Sequence, residues 1–98
     1  MAIGTVVPQR ALQIWVAGKV QGVYFRVSAA KQARKLGLSG WVKNLSDSRV
    51  ELFAQGDDAD LDELIAWCKK GPVLAKVSGV TQKLAEIDYE IVDFEVLR

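Results

Sequence analysis

The sequence predicts an α+β fold, a ferredoxin-like βαββαβ sandwich with a mostly antiparallel sheet, two helices on one face and a short C-terminal strand. Three observations carry this expectation. Stretches of period-2 alternation and stretches of 3.6-residue periodicity follow one another as strand, helix, strand, strand, helix, strand, with a tail strand at the end. Each helical stretch carries a single apolar stripe, and two such stripes need one sheet face for burial. Glycines, a proline and capping residues stand at the joints between stretches.

The first strand is read over 11–17, with Leu12, Ile14 and Val16 on one face and Gln13 and Trp15 on the other. The first helix follows a glycine-bearing loop and ends near Leu36. Phe25, Ala29, Ala33 and Leu36 form its stripe, Lys31, Arg34 and Lys35 suit the negative end of its dipole, and Gly37 stops it. A hairpin comes next: a strand over 40–44, the turn Ser46-Asp47-Ser48, and a strand over 49–55 with Val50, Leu52 and Ala54 on one side. Asp57 or Asp58 caps the second helix, whose core face is Leu61, Leu64, Ile65 and Cys68. Lys69-Lys70-Gly71-Pro72 ends it, and strands over 77–80 and 94–97 complete the chain. Residues 1–9 read as a flexible tail without the basic start and long apolar run of a signal peptide, and residues 10–98 as the domain.

A chain of 98 residues supports one modest core. The net charge of +1 does not point to nucleic acid or a membrane, but its distribution is uneven. Residues 1–50 hold eight Lys/Arg against the single acid Asp47, and residues 51–98 hold five against eleven acids. The basic half suits attraction of a small anion. The one cysteine, Cys68, cannot form an internal disulfide and falls on an apolar helix face, which reads as core. There is no histidine, which removes Ser-His and Cys-His catalysis and most zinc sites. No run reaches transmembrane length, and the expected setting is reducing and cytoplasmic.

The segment Gly18-Lys-Val-Gln-Gly-Val-Tyr-Phe-Arg26 lies between the first strand and the first helix. A strand, a glycine-bearing loop and a helix start together make an anion site, because loop N–H groups and the helix N-terminus both present positive potential. Arg26 opposes the helix dipole in the first turn, a cost of roughly 0.3–1 kcal/mol that becomes a gain when an anion sits between guanidinium and helix. The spacing fits neither Gly-x-x-x-x-Gly-Lys-Ser/Thr nor Gly-x-Gly-x-x-Gly. A plain strand-to-helix turn with a surface arginine also fits the spacing. Asn44, which ends Gly40-Trp-Val-Lys-Asn44, stands beside a hairpin turn, where asparagine is commonly a turn former; it also both donates and accepts hydrogen bonds.

Taken together, Gly18–Arg26 and Leu36-Gly-Leu-Ser-Gly-Trp-Val-Lys-Asn44 resemble the acylphosphatase family. The resemblance runs from about residue 11 to the C-terminus and includes Gly56 and Cys68-Lys-Lys-Gly-Pro72. It implies hydrolysis of acyl phosphates to carboxylate and inorganic phosphate without metal or cofactor. By the same resemblance Arg26 binds phosphate, the loop Lys19, Val20, Gln21, Gly22, Val23 and Tyr24 cradles it, and Asn44 holds the attacking water. A monomer with a small anionic substrate, and without nucleic-acid or membrane partners, is the matching expectation. A carboxylic–phosphoric anhydride is already reactive, so positioning and charge stabilisation suffice and a strong base is not required.

The chain departs from the family pattern at Ser46-Asp47-Ser48, where Pro-Asp-Gly is frequent, and at Ser28 and Val73, where many members have Thr and a second Pro. Two other classes share the fold. An RNA-binding sheet would show a Lys/Arg-Gly-Phe/Tyr-Gly/Ala-Phe pattern, which Arg49-Val-Glu-Leu-Phe53 lacks, although Trp15, Trp41 and Phe53 stand ready for one sheet face. An oligomeric regulatory domain would bind a small ligand and change its assembly.

Overall fold

The computed structural model describes residues 8–98. Seven elements follow in order: β1 (Arg10–Lys19), α1 (Phe25–Lys35), β2 (Ser39–Asn44), β3 (Val50–Gly56), α2 (Asp58–Lys70), β4 (Lys76–Ala85) and β5 (Phe94–Val96). The sheet order is β4-β1-β3-β2-β5. All pairings are antiparallel except β2 with β5, which is parallel. The mostly antiparallel βαββαβ sandwich with a terminal strand is therefore the fold that the sequence predicts.

The core lies between the sheet and the two helices. Leu12, Ile14 and Val16 of β1, Val42 of β2 and Val50, Leu52 and Ala54 of β3 meet Phe25, Ala29, Ala30 and Ala33 of α1 and Leu61, Leu64 and Cys68 of α2. Small alanines on α1 let that helix approach the sheet closely, and Phe25 fills the gap between helices by packing on Trp67 with ring centroids 5.3 Å apart. Leu36 and Ile65, expected on the stripes, pack against the core from partly buried positions. Cys68 is buried, and loss of hydration pushes its thiol up to about 12, which makes it a small apolar core residue.

Helix ends follow their stop signals. Gly37 donates to Arg34 O and Leu38 to Ala33 O, the paired bonds of a Schellman motif, and Leu38 then joins the core. Asp57 is the N-cap of α2 but makes no side-chain capping bond. Its contribution is the charge that it shares with Asp58 and Asp60 near the positive helix end.

Every residue of β3 is buried, as suits the central strand. Its second face is covered too. Trp41 and Phe53 stack with centroids 6.1 Å apart, Lys43 stands 5.0 Å over the Trp41 ring, and Phe53 keeps only 7% exposure. Gln55 fastens the 86–93 connection across that face: it accepts from Asp88 N at 2.9 Å and donates to Asp88 O at 2.8 Å and Ile91 O at 3.2 Å. β4 extends five residues beyond the 77–80 core of the sequence reading, to Ala85. Thr81, Gln82, Lys83 and Leu84 pair with β1 at the sheet edge, where backbone bonds hold the strand while its side chains face solvent and show no apolar alternation. Residues 1–7 of the expected tail lie outside the described residues; Gln9 donates to Gly56 O at 3.1 Å and so continues the β1–β3 pairing.

The β2–β3 turn closes with Leu45 N donating to Arg49 O at 2.8 Å. Arg49 N donates to Asp47 Oδ1 at 3.1 Å, and this bond is the main cause that holds the Asp47 carboxyl below its ordinary range. Ser48 sits at φ 77°, in the left-handed region where a side chain is strained. Ser48→Gly is expected to stabilise the chain by about 1 kcal/mol, seen as a higher urea midpoint. A midpoint that is unchanged or lower would show that the turn relaxes to another geometry in solution.

Candidate active site

The β1–α1 junction begins with a register shift between Ala17 and Gly18, after which β1 still pairs with β4 through Gly18–Val77 and Lys19–Lys76. Gly18 is required by space: a Cβ there would lie 2.2 Å from Lys76 O. The chain then turns through Gly22 at φ 75° and Tyr24 at φ 63° and enters α1 at Phe25. A left-handed tyrosine costs roughly 1–2 kcal/mol relative to glycine at the same place. Val20 and Val23 are buried in the core and anchor the loop on either side of Gly22.

The first turn of α1 is unusually open to an anion. Its N-cap, Tyr24, supplies no side-chain capping bond, and the turn contains no acid. Ser28 N donates to Tyr24 O, so Phe25, Arg26 and Val27 precede the first intrahelical bond and their N–H groups are the orphan donors of the helix start. Arg26 has no carboxylate partner among the described residues. One of its nitrogens, Nη1, donates to Leu97 O at 2.7 Å. That bond takes one of five guanidinium donors, fixes the side chain and leaves its charge unneutralised.

Arg26 and Asn44 share one cavity of about 320 Å³, which Val20, Gly22 and Tyr24 close on the loop side and Phe25 and Val27 on the helix side. The end of β2 delivers Asn44 to this place through its pairing with Val50. Asn44 Oδ1 is buried and has no hydrogen-bond partner. A buried carbonyl oxygen without a donor carries a cost of about 1–3 kcal/mol, and structures retain such groups where a ligand or water completes them.

The residues expected at the site separate into two sets. Arg26, Asn44, Val20, Gly22 and Tyr24 line the cavity, while Lys19, Gln21 and Val23 do not. Lys19 ends β1 opposite Lys76, and Val23 belongs to the core. The Gln21 side chain crosses to the hairpin: Nε2 donates to Leu45 O at 2.8 Å and to Arg49 O at 2.9 Å. It thereby ties the loop to the turn that follows Asn44. Three contributors escaped the sequence reading: Phe25, taken only as a core residue, Val27, and the carbonyl of Leu97. Val27 gave a signal, since it is an apolar residue three positions after Tyr24 on the same side of a helix start. The Leu97 contact has no local signature, because 71 residues separate the partners. Among the described residues no group of three or more His, Cys, Asp or Glu stands together as a metal site.

The chain matches the acylphosphatase family model over residues 12–96. An acylphosphatase of Methylococcus capsulatus is 49% identical over 89 residues, which cover 91% of this chain and 97% of that protein. An acylphosphatase of Archaeoglobus fulgidus is 51% identical over 87 residues, covering 88% and 96%. The solved structure of an acylphosphatase from Coxiella burnetii superposes with a TM-score of 0.84 at 44% identity, covering 90% of this chain and 92% of that one.

Gln21→Ala is expected to lower the unfolding free energy by about 1–3 kcal/mol, because it removes two bonds between loop and hairpin and leaves Leu45 O without its side-chain donor. Urea denaturation checks this. An unchanged midpoint would show that the tie between loop and hairpin contributes nothing to stability.

Proposed function

The chain belongs to the acylphosphatase family, and we propose that it hydrolyses small acyl phosphates by holding the phosphoryl group between the 19–24 loop, the start of α1 and Arg26, with the attacking water on Asn44. The observation that carries this reading is the shared cavity, in which an unneutralised guanidinium at an uncapped helix start faces the same space as a buried, unpartnered amide oxygen.

Each feature has a use in the reaction. The orphan N–H groups at the start of α1 and the Arg26 fork donate to the phosphoryl oxygens and stabilise the charge that spreads over them in the transition state. The bond to Leu97 O holds the guanidinium in place before substrate arrives, so little reorganisation remains for the reaction itself. Asn44 Oδ1 accepts a hydrogen bond from water and orients its lone pair at phosphorus. As water attacks, the bond from phosphorus to the carboxylate oxygen breaks and the carboxylate leaves with the electron pair. Water keeps one proton as a phosphate hydroxyl and passes the other to a phosphoryl oxygen. An amide oxygen is too weak a base to take that proton, and with an anhydride leaving as a carboxylate it does not have to. Charge stabilisation and positioning supply the rate, which suits a sequence without histidine.

Turnover of a simple acyl phosphate in the presence of a chelator, with inorganic phosphate as a competitive inhibitor, is the primary test. Activity lost to the chelator and restored by a divalent cation would overturn the metal-independent part.

Arg26→Lys is expected to reduce kcat/KM on the order of 10²-fold or more although it keeps the charge, because an ammonium cannot grip two oxygens in a planar fork. Near-normal turnover and phosphate affinity in this variant would remove Arg26 from the role. Asn44→Ala is expected to lower kcat by roughly 10²–10³-fold while the phosphate inhibition constant changes little. Normal kcat with a lowered unfolding midpoint would make Asn44 a turn residue only.

A further inference from the structure

The phosphoryl group does not exhaust the cavity. Its volume of about 320 Å³ corresponds to roughly ten liquid waters, and the acyl half of a substrate must occupy what the phosphoryl group leaves. The lining on that account is notable for its charge. Arg26 is the one charged side chain among the described residues that line it, and the phosphoryl group claims that charge. An acyl group with a second charge would find no partner there.

The lip of the cavity is apolar and exposed. Tyr24 is 76% exposed and Val27 61%, and both line the opening. Single exposed apolar residues are ordinary on a protein surface. These two differ because they stand three residues apart at one helix start, beside the reacting groups. Tyr24 also occupies its place at a conformational cost. At φ 63° and ψ 24° a glycine or asparagine would be less strained, and the phenol makes no side-chain capping bond in return. Strain retained in a ligand-facing turn is a pointer to function.

We propose that Tyr24 and Val27 are specificity residues: they form an apolar wall for the acyl group and make the enzyme prefer acyl phosphates with an uncharged, ring-sized acyl moiety. The proposal rests on the phosphoryl-site reading above. The phenol offers a face on which a planar aryl group stacks, and the valine methyl groups cover its edge. Both contacts become drier once substrate is seated, so the apolar area removed from water is larger for an aryl than for a methyl acyl group.

The test compares kcat/KM for benzoyl phosphate with kcat/KM for acetyl phosphate in the wild type, in Tyr24→Asn and in Val27→Ala. Asparagine tolerates the left-handed backbone, so Tyr24→Asn keeps the turn while removing the ring. The ratio of the two specificity constants cancels any loss common to both substrates. It is expected to fall about tenfold in Tyr24→Asn and by a smaller factor in Val27→Ala. A ratio that stays at its wild-type value in both variants overturns the apolar wall while the phosphoryl site stands. Absence of turnover with either substrate in the wild type overturns the phosphoryl site, and the wall with it.

Discussion

The β1–α1 junction is held by bonds from distant parts of the chain, and the candidate site depends on them. Gln21 reaches carbonyls 24 and 28 residues away, and Arg26 reaches one 71 residues away. No local segment contains the site. The loop, the hairpin end and the C-terminal segment come together only when the five-stranded sheet is complete. Loop and helix start supply the uncapped N–H groups and Arg26, and the long-range bonds fix where these groups stand relative to Asn44.

The same logic explains why the C-terminal segment is so firmly attached. β5 has only three residues and a parallel pairing with β2, which alone would be a weak edge. Two arginines of α1 reinforce it: Arg34 donates to Phe94 O through Nε and Nη2, and Arg26 donates to Leu97 O. Buried Phe94 seals the contact from the core side, and Gln55 pins the connection that leads there. The result is a rigid floor under Arg26. A guanidinium held this way keeps its charge exposed to the cavity, whereas pairing with a carboxylate would have cancelled it.

Much of this arrangement was legible in the sequence, for stated physical reasons. Alternation at Leu12, Ile14 and Val16, the stripes of both helices and the stops at Gly37 and Gly71 are local, and they gave the fold. The loop and Arg26 were legible because a cation at a helix start breaks a local rule. Other features were not. The second half of β4 is an edge held by backbone bonds, so its side chains carry no periodicity that marks a strand. Gln21 was placed with the anion-binding loop on sequence grounds, yet its side chain ties loop to hairpin, since nothing in the order of residues reveals which carbonyls lie opposite. From spacing alone Asn44 reads first as a turn residue, and the burial of its unpartnered oxygen is a feature that no local pattern announces. Phe53 and Trp41, ambiguous between core and open platform, stack on each other because register sets them directly opposite.

The central claim is that one phosphoryl group sits at the β1–α1 junction. Titrating inorganic phosphate into the ¹⁵N-labelled chain while following its amide and arginine resonances tests this most directly. Saturable shifts are expected at the backbone amides of the 19–27 segment, at the Arg26 guanidinium and at the Asn44 side chain, all with one dissociation constant. Shifts that do not saturate and spread over the surface lysines Lys31, Lys35 and Lys69, with the junction unmoved, would contradict the account.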